Sequence, residues 1–99
     1  MGEMSAVMYY VGSGWARDLP LLEQQHAVGH VLFVRSLLRQ GLARLAGPFA
    51  RLDERIEGDL VGMVLLEATV AEALELVAGD PAVQHGLLIP HGLVFHPVA

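Results

Sequence analysis

Four β-prone segments and two helix-periodic ones follow one another in the order strand, helix, strand, strand, helix, strand, which predicts one α+β domain built on an antiparallel sheet. Ninety-nine residues leave room for a single core. Apolar residues make up 54% of the chain and mean hydropathy is +0.48. A chain of this size hides only roughly 60–65% of the surface its unfolded form exposes, so the apolar content exceeds what one small core can take in. The surplus predicts a subunit interface, and a closed two-fold dimer is the commonest way to build one.

Each element has a local reason. Ala6–Val11 is apolar and β-prone and runs into Gly12-Ser13-Gly14, so it reads as a first strand followed by a loop through Trp15 and Pro20. From Leu21 to Gln40 the period changes. Ala27, Val31, Val34, Leu37 and Leu38 recur at the three-and-four spacing of one helix face, Arg35 and Arg39 fall on the other, and Gly41 suits a left-handed stop. Leu42–Ala46 reads as a short strand closed by Gly47-Pro48, and the charged stretch Phe49–Gly58 as an exposed connection. Asp59–Ala68 holds a near-continuous apolar run, as expected of a strand buried on both faces.

Thr69-Val70-Ala71-Glu72 is a capping box, which opens a second helix ending near Ala78 with Gly79 as its stop. Asp80-Pro81 starts a further turn, with aspartate as cap and proline at the first helical position. Leu87–Val98 supplies the last strand, with an interruption expected around Pro90-His91-Gly92. This is the βαββαβ order of ferredoxin-like domains, a four-stranded antiparallel sheet with two helices on one face. Nothing in the chain covers the other face. Two such sheets packed face to face would bury the apolar surplus.

Composition also narrows the function. The net charge is −5 and all six basic residues are scattered arginines, which argues against nucleic acid as a partner, because that affinity rests on clustered cations meeting phosphates. An RNA-binding sheet of this topology would need exposed aromatics beside basic residues. With no cysteine, thiolate catalysis, disulfides and cysteine-ligated zinc are excluded. No basic-then-apolar leader is visible at the start of the sequence, and the longest uncharged run, Pro81–Ala99, is broken by proline, glycine and histidine, so no membrane partner and a cytoplasmic location are expected.

His30 is the leading candidate for chemistry. It sits among Ala27, Val31 and Val34 on or beside the apolar stripe of the first helix. Histidine titrates near neutral pH, so partial burial and a neighbouring carboxylate can adapt it to general acid/base work. Asp53, Asp59 and Asp80 are the carboxylates that could reach it. The plainer alternative is a core-edge histidine satisfied by one hydrogen bond. Asp80 has a plain reading of its own, since capping the turn at Pro81 would account for it. His26, four residues before His30, would share its helix face and makes a secondary candidate. Two histidines alone are too few for a metal site, and none is expected.

His85, His91 and His96 follow no ligand spacing and read as edge or interface positions. Gly12-x-Gly14 lacks the third glycine of a dinucleotide loop, so no cofactor is expected. Ser5, Ser13 and Ser36 lie in no nucleophile motif.

The run His30-Val-Leu-Phe-Val-Arg-Ser-Leu-Leu-Arg-Gln-Gly41, followed by Leu-Ala-Arg-Leu-Ala-Gly47-Pro48, resembles the YCII (YciI-like) family. So do Asp80-Pro81-Ala82-Val83 with Gly86, and the first-strand segment Met8-Tyr9-Tyr10-Val11; the likeness extends from about Val7 to Val98. The Trp15 loop departs from the common pattern. The resemblance implies a dimeric α+β barrel and a histidine–aspartate active-site pair mapping onto His30 and Asp80, with Asp53 a further acidic position. A few relatives are dehydrochlorinases or lactone isomerases.

Two functions follow as expectations. In one, the chain is an enzyme of isomerisation or elimination, with His30 moving a proton, Asp80 orienting its ring, and Met8, Tyr10, Met63 and Phe95 lining the pocket. In the other it is a non-catalytic dimeric module that binds a small ligand or simply assembles.

Overall fold

The structure is a computed structural model and describes residues 2–50, 56 and 58–98. Its elements are β1 (Met4–Val11), a 3-10 turn (Leu21–Glu23), α1 (Ala27–Arg39), β2 (Ala43–Pro48), β3 (Leu60–Leu66), α2 (Val70–Val77), α3 (Pro81–Gln84) and β4 (Leu88–Phe95). The strands form one sheet in the order β2-β3-β1-β4, every neighbouring pair antiparallel. This α+β arrangement is compatible with a ferredoxin-like fold. Among the described residues no helix is long and apolar enough to cross a membrane.

Strand pairing sorts side chains between the two faces, because directly opposed residues share a face and successive ones alternate. Val7 opposes Val64 on one side and Gly92 on the other. A side chain at Gly92 would collide with Val70 and Leu74 of α2, so this set faces the helices. Ser5, Val7 and Tyr9 of β1 and Val64 and Leu66 of β3 belong to it, and all are buried. The core lies between this face and the helices, where Leu37 of α1 and Ala73 and Val77 of α2 pack.

The other face carries Met8, which opposes Met63 and His91, and Ala6, which opposes Leu65 and Leu93. It is open in the single chain. Leu45, Ile89, Leu93 and Phe95 on it are 62%, 45%, 58% and 39% exposed.

Four expectations about the elements change. The first helix begins at Ala27 rather than Leu21. The buried side chain of Gln24 intervenes: its Oε1 accepts the Ala16 N–H, while its Nε2 donates to the carbonyls of Ala16 and Leu19. That closes the Trp15 loop onto a separate 3-10 turn. His26 then takes a left-handed backbone (φ 69°) before the helix starts.

The last strand runs unbroken through Pro90-His91-Gly92 but stops at Phe95. β4 is an edge strand, where the missing N–H of Pro90 is tolerated, and the same holds for Pro48, which with Gly47 belongs to edge strand β2. The third strand spans Leu60–Leu66 and is deeply buried only toward the helices, Met63 and Leu65 being half-buried. The capping box forms: Thr69 Oγ1 accepts the Glu72 N–H and Glu72 accepts the Thr69 N–H. Hydrogen bonding to its carboxyl from the Thr69 backbone N–H, and to a lesser degree from the Thr69 side chain, holds the exposed Glu72 carboxyl below the usual glutamate range.

Candidate functional site

His30 lies in the first turn of α1, and Asp80 is the N-cap of α3 fifty residues later in sequence. Both local structures follow from short-range chemistry. Asp80 Oδ1 accepts the Ala82 N–H at 2.9 Å, the side-chain cap of a helix that opens with proline. Its other oxygen, Oδ2, lies 2.5 Å from His30 Nδ1. Asp80 is completely buried and the His30 side chain keeps 15% of its exposure. Capping and pairing with histidine, posed from sequence as alternatives for Asp80, are carried out together by its two oxygens.

Gly29 makes the approach of α3 to α1 possible. A Cβ there would stand 3.2–3.3 Å from the ring carbons of Pro81, so even an alanine would require the Pro81 ring to give by a few tenths of an ångström. Gly12 and Gly14 permit a close approach at the other end of α3, where a Cβ on either would meet the Gly86 backbone. Gly12 N–H donates to the Leu87 carbonyl at 2.8 Å and Gly14 N–H to the Gly86 carbonyl at 3.0 Å, so the start of the Trp15 loop is clamped to the turn that follows α3.

With Asp80 accepting from Nδ1–H, the ring nitrogen of His30 left for other chemistry is Nε2. The ring is held edge-on by Tyr9, the centroids 5.1 Å apart and the planes at 83°. His30 and Tyr9 lie in the wall of a cleft of about 380 Å³ between α1 and the β2–β3 end of the sheet, partly open to solvent. Val31, Val34 and Leu38 form one side and Ala46, Pro48 and Val61 the other. Leu21 and Leu22 of the 3-10 turn stand at the rim. Among the described residues lining it, polar or charged side chains come only from Tyr9, His30 and Arg35.

The Tyr9 hydroxyl is buried and has no hydrogen-bond partner among the described residues. Burial, with the Asp80 carboxylate adding to it, pushes this phenol well above the usual tyrosine range, so it remains a proton donor.

The other expected site residues are distributed differently. Met63 borders the cleft, whereas Met8, Tyr10 and Phe95 do not. These three belong to the open face of the sheet, as does Met63 opposite Met8, and there Tyr10 packs edge-on against His91 at 5.0 Å. Tyr9, one residue away, takes the place expected of Tyr10. His26 does not share a helix face with His30. Its ring stacks flat on His85, 3.9 Å between centroids, which ties the start of α1 to the end of α3. Asp59 forms an exposed ion pair with Arg17 at 3.1 Å instead of approaching His30. Asp53 lies outside the described residues. Among those described, no three histidine, aspartate or glutamate side chains gather where they could hold a metal.

Tyr9, Arg35, Gly29 and Gln24 were not singled out from sequence as site residues. The signals available were weak: a glycine inside a helical period, and a glutamine just before a helix.

Compared with known proteins, the chain matches no family model and no curated protein.

Proposed function

We propose that this protein is a YCII-like acid/base enzyme acting on a small, carbonyl- or hydroxyl-bearing cyclic molecule, with His30 and Asp80 as its working pair. The observation that carries the reading is the short contact from His30 Nδ1 to a fully buried carboxylate at the wall of an apolar, partly open cleft. A buried aspartate fixes the ring's orientation and its Nδ1–H tautomer, and it stabilises the imidazolium that forms when Nε2 takes a proton.

Nε2 removes a proton from a carbon beside a carbonyl. Returning it at another position is isomerisation; departure of a leaving group with its electron pair is elimination. No covalent intermediate is needed.

Solvent exchange tests this without a known product. In deuterium oxide, the wild-type protein is expected to catalyse loss of the α-proton NMR signal from at least one member of a panel of small cyclic ketones and lactones. His30→Gln is expected to abolish that catalysis. Wild-type protein that exchanges none of the panel, or a variant that exchanges as well as wild type, would contradict the reading.

We further propose that two chains pack through their open sheet faces, because the apolar side chains of Leu45, Ile89, Leu93 and Phe95 otherwise face water. Sedimentation velocity at micromolar concentration is expected to show a dimer, and a monomer would rule this packing out.

A further inference from the structure

We propose that Met8, Met63 and His91 form a binding site for a soft monovalent metal ion, copper(I), on the open face of the sheet. The site lies on the side away from the helices and uses neither His30 nor Asp80.

Sheet register brings the three side chains together. Met8 of β1 stands directly opposite Met63 of β3 on one side and directly opposite His91 of β4 on the other. Directly paired residues share a face, and neighbouring strands lie about 5 Å apart. Two thioethers and an imidazole therefore stand in one row across three strands, and each thioether sits on a flexible, unbranched stem. In the single chain Met8 and Met63 are half-buried and His91 is exposed. No side chain of β2 covers the Met63 end of the row, because the residue opposite Met63 there is Gly47. At the other end Tyr10 packs edge-on against the His91 imidazole, 5.0 Å between centroids, and steadies it.

The donor set selects the ion. Thioether sulfur is a soft ligand that favours copper(I), and imidazole suits copper as well, whereas magnesium, calcium and manganese take oxygen. The neighbours of the row on this face, Ala6 and Tyr10 of β1, Leu65 of β3, and Ile89 and Leu93 of β4, carry no carboxylate. Among the described residues no three histidines, aspartates or glutamates gather, so zinc has no comparable site. Packing alone does not call for sulfur here, since leucine and isoleucine fill out the rest of the face with plain hydrocarbon. A single positive charge on neutral ligands is also the least costly to enclose when a second chain packs over this face, because the solvation an ion gives up grows with the square of its charge.

The test uses silver(I), a redox-inert soft ion, added to the full chain in chloride-free buffer and read on the methionine methyl and histidine ring NMR signals. The Met8 and Met63 methyls and the His91 ring are expected to move together and to saturate at one ion per chain. Met4, on the same face but about 13 Å from Met8 along β1, is expected to stay still. Copper(I), supplied without oxygen as its acetonitrile complex, is expected to move the same three signals, and magnesium none of them.

Met8→Leu, Met63→Leu and His91→Gln are each expected to weaken silver binding at least about tenfold, since changes one shell further out from a metal already cost about 10–100-fold. Leucine keeps the methionine volume, so the sheet is retained. Silver that leaves the Met8 and Met63 methyls in place, moves Met4 as strongly, or binds each of the three variants as tightly as wild type would overturn the proposal.

Discussion

Asp80→Ala is expected to lower the stability of the fold by about 3 kcal/mol, a fall in Tm on the order of 15 °C for a domain this small. The loss has three sources. The cap of α3 disappears when Ala82 N–H loses its acceptor, worth about 1 kcal/mol. The hydrogen bond from His30 is lost in a buried setting, worth about 1–2 kcal/mol. A small cavity remains where a completely buried side chain stood. Asp80→Asn keeps the volume and one acceptor, so thermal unfolding should place it between wild type and the alanine variant. A melting temperature unchanged in Asp80→Ala would mean that α3 and His30 do not depend on this carboxylate.

Gly12→Ala is expected to be comparably severe, about 3 kcal/mol, and for a steric reason. A Cβ on Gly12 would lie 2.1 Å from the backbone oxygen of Gly86, a distance no packing adjustment of side chains relieves. The backbone of the Gly86–Leu87 turn must move, and that turn ends the short helix whose first residue follows Asp80. Overpacking against backbone belongs at or beyond the upper end of the usual range. Chemical denaturation is expected to show the loss, and wild-type stability in Gly12→Ala would mean that the clamp between the first loop and α3 is not closed. Gly41→Ala serves as a comparison, since it meets no atom and carries only the strain of its left-handed backbone (φ 75°).

What could be read ahead of the structure was whatever short-range chemistry determines. The capping box at Thr69, the Asp80-Pro81 start and the order of strands and helices all rest on residues within a few positions of one another. The approach of His30 to Asp80 was legible only as a candidate pairing, because the bond spans fifty residues.

The cleft was misread for a different reason. Val7, Met8, Tyr9 and Tyr10 are all apolar or aromatic, so β1 has no alternation to say which set faces the helices. A slip of one residue exchanges the two faces, and Tyr10 stood in for Tyr9. The start of α1 was misplaced because Gln24 bonds to Ala16 and Leu19 through its side chain, a contact that helix periodicity does not register. Gly29 carried a readable sign: a glycine inside a helix costs about 1 kcal/mol relative to alanine, and here close contact with Pro81 explains it.

The claim on which the functional reading depends is that Asp80 takes the Nδ1 proton of His30 and leaves Nε2 bare. Long-range proton–nitrogen NMR of the labelled protein, at a pH where the ring is neutral, reads this directly. The expected result is the Nδ1–H tautomer in wild type, with Nε2 at the shift of an unprotonated nitrogen, and loss of that preference in Asp80→Asn. A wild-type ring protonated on Nε2 would contradict it, because the nitrogen left for the cleft would then already carry a proton and could not take one from a substrate.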